Sequence, residues 1–552
     1  MQYLVVVGLV GRLSALFGLL MAVPLLFSWA EHDGAETAFV SSMSITMALG
    51  LMMILATRRF GRELQPRDGF LLVGTTWLLL PAFGALPLML GAPHLGFTDA
   101  YFEAMSGFTT TGATLIVGLD SLPVSINVWR CFLVLIGGMG IIVLVVAILP
   151  LLGVGGSQLF RAETAGPLKD TKLTPRIEDT ARGLWTVYFS IATACFFAYW
   201  LAGMDGPDAF MHMCSTMGLG GFSSHDQSFA YWNSELIEAV AVFFMAAAGV
   251  NFALYFLVAR RRDFSVLWRD AEARAYASTL AMAILAGATY LYLNGTYETW
   301  LLCLRNVSFN LVSVATTTGF ASVDYAQWPV FLPASMLLLG SFVTCAGSTG
   351  GGIKMVRFVL LLKQVGRELV RIVHPNVVNP IVYAGKVVDA RVMHGMIAFM
   401  MVYGALLMAL SMALVFSGLD LITAFSAVIA CMNNIGPGLG QVGPAGNYAG
   451  LTDLQTWICT VAMLFGAARA ALRFGAVDAA VLATMTVRFA IRCVTAQGRE
   501  FPFAGRESSR WPVLFATRHG VVHATVVSGR FRSKADGRSM DRSMSGVRDT
   551  CH

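Results

Sequence analysis

DAYFEAMSGFTTTGAT, Asp99 to Thr114, is a moderately apolar segment too short to cross a bilayer, yet it lies between two longer apolar runs. It recurs three times. DAFMHMCSTMGLGGFS (Asp208 to Ser223), NVSFNLVSVATTTGFA (Asn306 to Ala321) and DLITAFSAVIACMNNIGPGLG (Asp420 to Gly440) also end in small polar residues and glycine. The first three superpose without gaps. Asp99, Asp208 and Asn306 stand at equal distances before Gly112, Gly221 and Gly319, and Ser106, Ser215 and Ser313 fall in register. In the fourth copy Ala430 replaces the serine, Thr423 takes the first acid's place, and Asp420 lies one helical turn earlier; Gly436 partners the other three glycines.

The surroundings are those of a membrane chain. Of 552 residues, 56% are hydrophobic and 13% charged, about half the charged share of a soluble domain; the mean hydropathy is +0.68. Roughly ten runs reach the ~20 residues that span a hydrocarbon core as helix. The sixth runs from Leu236 to Ala259, and the eighth, Val330 to Leu362, is broken at glycines. These features predict an all-α polytopic membrane protein with two leading helices and four helix, pore-loop, helix repeats about a pseudo-fourfold axis. The expected boundaries are 1–69 for the leading helices, 70–182, 183–274, 275–392 and 393–494 for the repeats, and 495–552 for a polar, disordered cytoplasmic tail. Arginines follow the second, sixth and eighth runs (Arg58, Arg59 and Arg62; Arg260 to Arg262; Arg367 and Arg371), whereas the first link carries only acids. The positive-inside rule then places both termini in the cytoplasm.

Non-helical backbone at membrane depth is tolerated only where protein buries it or water lines it, so four such segments are expected to meet on one axis. Asp99, Asp208, Asn306 and Asp420 are expected to cap the short helices, leaving the negative dipole ends to favour a cation. A cation filter replaces hydration water with rings of backbone carbonyls, which glycine allows by adopting conformations that a β-carbon resists. Thr111-Gly112, Gly220-Gly221, Thr318-Gly319 and Ile435-Gly436 would supply the rings. None of them carries TVGYG, which predicts weaker discrimination. Small residues also serve close helix packing, but four matching copies favour the pore.

Other chemistry finds little footing. Nine cysteines lie scattered without a C-x-x-C pair, as packing residues do. No basic patch interleaved with aromatics points to nucleic acid, and no nucleophile–base or metal-ligand constellation points to an enzyme or a cofactor. CAGSTGGGIK, Cys345 to Lys354, misses the phosphate-loop pattern by one residue, because Ile353 separates Gly352 from Lys354. Glu103 reads as a solvated vestibule charge, and His212 and His225 as loop or packing residues. A secondary transporter coupling cation uptake to H+ or Na+ is the rival; its inverted repeats contrast with copies that run in one orientation here.

GGMGIIVLVVAILPLLGVGGSQLFRAE from Gly137, GGFSSHD from Gly220, CAGSTGGGIK from Cys345 and NNIGPGLG from Asn433 resemble the bacterial potassium-uptake proteins of the Trk/Ktr superfamily. That resemblance implies a homodimer in the inner membrane that conducts K+, with Rb+ as a second permeant ion, through the four residue pairs named above. It implies that Gly347, Ser348, Thr349, Gly350, Gly351, Gly352 and Lys354 form an intramembrane gate loop beneath the filter. It further implies regulation by a cytosolic TrkA-type nucleotide-binding ring, so that nucleotide binds the partner. The likeness ends near Gly466. The family arginine expected at Ala467 is absent, and Arg469, Arg473 and Asp478 are costly in a last helix, at ~2.5 to 3.5 kcal/mol each; a change of reading frame near Gly466 would account for them.

Overall fold

The computed structural model describes residues 3–59, 66–151 and 177–467, all within the compact unit Met1–Gln497. The expectations for Arg469, Arg473, Asp478 and the 495–552 tail lie outside the described residues.

The chain opens with α1 (Tyr3–Leu20) and α2 (Ala22–Glu31), followed by α3 (Glu36–Thr57). Small residues let α1 and α3 cross closely: a Cβ on Gly11 would stand 2.8 Å from the Gly50 carbonyl oxygen, and one on Gly50 2.8 Å from that of Gly11. Such contacts drive helix association where no water remains to be expelled. Polarity is inverted relative to a water-soluble protein. Ser14, Ser42 and Thr46 are buried, whereas Leu16, Leu19, Leu51 and Leu55 are exposed.

Four repeats follow. The first comprises α4 (Pro66–Gly84), α5 (Leu86–Leu90), the short pore helix α6 (Phe97–Phe108) and α7 (Val124–Leu151); the second comprises α8 (Ile177–Leu201), pore helix α9 (Gly206–Gly218), α10 (Glu235–Ala248) and α11 (Phe252–Arg261). After a link containing α12 (Ser265–Arg269), the third has α13 (Ala271–Leu293), pore helix α14 (Trp300–Ala315), α15 (Phe331–Gly340) and α16 (Met355–Val373). The fourth has α17 (Ala390–Phe416), pore helix α18 (Leu421–Asn433) and α19 (Asp453–Ala467). Each repeat's returning helix packs on the next repeat's pore helix: α7 on α9, α10 on α14, α15 on α18, and α19 back on α6. The last contact closes the circle.

Two local features depart from expectation. The sixth apolar run is not straight: α10 and α11 meet at 90°. Asn251 restarts the helix there by accepting from the Ala253 N–H at 2.9 Å, and a Cβ on Gly249 would come within 2.4 Å of the Tyr276 hydroxyl. Continuous apolar composition conceals such a break. Between α16 and α17 lies an unforeseen hairpin, β1 (Val382–Tyr383) and β2 (Lys386–Val387), turned by Ala384 and Gly385 at φ 49° and 77°. Two positive-φ residues in succession suit a tight hairpin. Among the described residues, six apolar stretches are long enough to span, and seven if the bent pair counts as one. The expected ten also include α7, the divided run of α15 and α16, and α19, which is described only to Ala467.

Candidate functional site

All four pore helices end in the same backbone path. Thr110, Leu219, Thr317 and Asn434 adopt left-handed φ values of 56°, 53°, 62° and 55°, a conformation that side chains with a β-carbon resist. The next residue's N–H then reaches back to a helix carbonyl: Thr111 to Ser106 at 2.8 Å, Gly220 to Ser215 at 3.0 Å, Thr318 to Ser313 at 2.8 Å and Ile435 to Ala430 at 2.8 Å. The acceptor is main chain, so alanine serves as well as serine in the fourth copy. Gly112, Gly221, Gly319 and Gly436 follow at φ 80°, 65°, 92° and 92°.

These corners form a closed ring. A Cβ on Gly112 would lie 2.0 Å from the Gly220 carbonyl oxygen, one on Gly221 2.2 Å from that of Thr318, one on Gly319 2.1 Å from that of Ile435, and one on Gly436 2.7 Å from that of Thr111. Each glycine therefore abuts the peptide oxygen of the next quarter. All four glycines line one funnel.

The expected caps need correcting. The cap of α6 is Gly96, with Asp99 in the first turn, and that of α9 is Asp205, whose side chain accepts from the Asp208 N–H at 2.9 Å. The third pore helix begins earlier, at a Thr299 cap, which leaves Asn306 mid-helix and buried. Asp420 caps α18, accepting from the Thr423 N–H at 2.9 Å. Gly96, Asp205 and Asp420 stand equally far before their glycines, so the fourth copy held the true cap register. First-turn acids still favour the positive helix end.

Glu103 is not a solvated vestibule charge. It is fully buried, and its carboxylate accepts from Arg130 Nε at 2.8 Å and Nη2 at 2.7 Å, from the Thr114 hydroxyl at 2.9 Å and from the Leu115 N–H at 3.1 Å. At the same register, His212 Nε2 pairs with the Ser223 hydroxyl at 3.0 Å. Asn310 Nδ2 donates to the Ser322 hydroxyl at 3.0 Å and its Oδ1 accepts from the Ser322 N–H at 3.1 Å. In the fourth quarter that register holds Ala427, and neighbouring Ser426 accepts from the Leu439 N–H at 2.9 Å. Every pore helix thus braces the strand leaving its own corner. The sequence signal was a polar residue at fixed spacing in three otherwise apolar helices.

His225 does more than pack. Nε2 meets the Asp208 carboxylate at 3.1 Å, Nδ1 meets Asp120, and the ring stacks on Tyr231 at 3.6 Å. Burial alone would lower the His225 pKa, but hydrogen bonds to Asp208 and Asp120 outweigh it and raise the value. Burial likewise tends to raise both aspartates, yet their hydrogen bonds with His225 hold them below the ordinary range.

The glycine-rich segment between α15 and α16 is a compact loop against the pore-helix C-termini. The Thr349 hydroxyl donates to the Met217 carbonyl at 3.0 Å, and the Gly351 N–H to the Thr317 hydroxyl at 2.7 Å. The loop is laced to the α10–α11 break through Cys345 N–H to the Gly249 carbonyl (3.0 Å) and Phe252 N–H to the Gly347 carbonyl (3.1 Å). Buried Glu272 fastens both ends, one oxygen accepting from the N–H groups of Ala346 at 2.8 Å and Val356 at 3.2 Å. Lys354, at φ 78°, donates to the Ser348 hydroxyl at 3.3 Å and to the Gly350 carbonyl. Gly347 and Gly352 turn the chain at φ 79° and 74°. Asn251 and Glu272 escaped the sequence because they lie far from the loop along the chain.

Fold and site together define a polytopic helical membrane protein whose four pore-loop repeats converge on one ring. The family model for TrkH, described as a cation transport protein, matches residues 35–287 and 303–481, and the chain belongs to that family. The match runs past Gly466, where the resemblance was expected to end. Trk system potassium uptake protein TrkH of Escherichia coli K12 is 42% identical over 467 residues, covering 84% of this chain and 96% of the relative. The TrkH of Vibrio parahaemolyticus is 43% identical over 470 residues, with the same coverages. A crystal structure of the potassium transporter TrkH from Vibrio parahaemolyticus superposes with a TM-score of 0.79 at 39% identity, covering 87% of this chain and all of the other.

Proposed function

We propose that this chain takes up potassium through a channel-like pathway whose filter is the four-cornered ring. The closed circle of glycine-to-carbonyl contacts carries the reading: Thr111, Gly220, Thr318 and Ile435 each bring a peptide oxygen to one ring, and such rings substitute for a monovalent cation's hydration shell. The names of the relatives, potassium uptake proteins of the Trk system, supply the ion. Gly347 to Gly352, with Lys354, act as the gate, because the loop lies against two pore-helix C-termini and is held by hydrogen bonds that can be exchanged. The protein works as a homodimer in the bacterial inner membrane, with both termini cytoplasmic and a TrkA-type nucleotide-binding ring as regulator. The test is rubidium or potassium flux in liposomes for the parent chain, Gly112→Ser and Gly319→Ser. Altered cation preference is expected in both variants; unchanged preference in both overturns the filter assignment.

A further inference from the structure

The four braces behind the ring are chemically unequal. His212, Asn310 and Ser426 each bind within their own quarter, to Ser223, Ser322 and Leu439. The first brace is ionic and reaches further. Glu103 holds Thr114 and Leu115, just after Gly112, while Arg130 donates to the Thr114 hydroxyl at 3.0 Å and to the Ser223 carbonyl at 3.4 Å, just after Gly221. Its guanidinium also lies over the Phe222 ring, 4.5 Å from the centroid, and donates to Asn127 Oδ1 at 3.1 Å. Among the described residues this is the ion pair with both side chains almost wholly buried, at 1% and 0% exposure. Burying two charges is costly unless geometry and further hydrogen bonds compensate, and here nearly every polar atom of the pair points at a filter-flanking strand or its support. The boundary it spans is the tightest of the four, with 2.0 Å from a Cβ on Gly112 to the Gly220 oxygen.

We propose that Glu103 and Arg130 are positioning residues that set the ion selectivity of the ring. They fix Thr114 and Ser223, and so keep the oxygens of Thr111 and Gly220 from closing around an ion smaller than potassium. The inference rests on the filter reading above and adds the determinant of its width. Lysine at position 130 keeps the charge but loses the planar fork that serves several acceptors together. Valine at 114 keeps the shape but removes the hydroxyl shared by both charges.

The test measures the K+/Na+ permeability ratio from reversal potentials, with rubidium flux per folded protein, for the full chain in liposomes. Arg130→Lys is expected to lower the ratio about fivefold to tenfold, within the span of coupling that residues sharing one network show, while rubidium flux persists. Thr114→Val moves it in the same direction by less. Arg305→Lys, which alters a partly exposed pair with Glu238 away from the ring, leaves the ratio unchanged. If Arg130→Lys and Thr114→Val both keep the parent ratio while Gly112→Ser shifts it, the proposal is overturned and the filter stands. Gly112→Ser and Gly319→Ser proteins that both keep the parent ratio overturn the filter and this inference together. Should Arg130→Lys fail to fold, Thr114→Val decides alone.

Discussion

Alanine placed at each ring glycine in turn should produce a graded loss of selective conduction whose order follows the ring's geometry. At positions 112, 221 and 319 the new methyl would stand 2.0, 2.2 and 2.1 Å from the neighbouring quarter's peptide oxygen, against 2.7 Å at position 436. Ordinary contact needs well over 3 Å, so in the first three cases a backbone carbonyl must move by more than about 1 Å. Left-handed φ adds about 1–2 kcal/mol for any residue with a β-carbon, and overpacking adds about 1–3 kcal/mol. The sum, ~2–5 kcal/mol, is a loss of more than about tenfold in the population of the selective ring, since each 1.4 kcal/mol is tenfold. At Gly436 the φ cost dominates and the loss should be the mildest. Rubidium flux and K+/Na+ reversal potential, both counted per folded protein, are the assay. Gly436→Ala as the most damaging of the four, or all four indistinguishable from the parent, would refute the reasoning.

Three further outcomes follow from other contacts. The His225 clasp gives stability that is complete below about pH 6.5 and lost as pH rises through the histidine's raised value, while its two aspartates lose theirs only as pH falls through their lowered values. The melting-temperature gap between parent and His225→Gln should therefore shrink from pH 6 to pH 9; a constant gap contradicts the clasp. Replacing Glu272 by alanine frees the N–H groups of Ala346 and Val356, and Asn251→Ala removes a cap beside Gly347 worth about 1 kcal/mol. Both should raise rubidium flux measured without any cytosolic partner, and flux at or below the parent level in both would count against a loop held shut by these residues. Asp420→Ala should cost about 1 kcal/mol of stability by loss of the α18 cap, read from denaturant or thermal unfolding in detergent.

What could be read from the chain was whatever the backbone itself demands. Positive φ at a peptide corner calls for glycine, so Gly112, Gly221, Gly319 and Gly436 stood out by spacing alone, and the run at Gly347 to Gly352 announced a break in a helix. Caps were harder, because an acid in the first turn and an acid at the cap look alike in sequence; only Asp420, one turn earlier than Asp99 and Asp208, showed where three of the four helices begin. Glu103 was misjudged since an acid in a short helix near water is usually solvated, and its partner Arg130 lies 27 residues away on another helix. The same holds for Glu272 and Asn251, whose importance depends on which loop folds against them. The right-angle bend at Gly249 to Asn251 was hidden by continuous hydrophobicity. Local conformational needs leave a mark on composition, whereas pairings between repeats do not.

The most direct test is the rubidium anomalous signal from the protein crystallised or soaked in a rubidium salt. A peak on the ring axis, within coordination distance of the peptide oxygens of Thr111, Gly220, Thr318 and Ile435, is the predicted result. A well-ordered ring with no peak there, or four corners that fail to face one another, would contradict it.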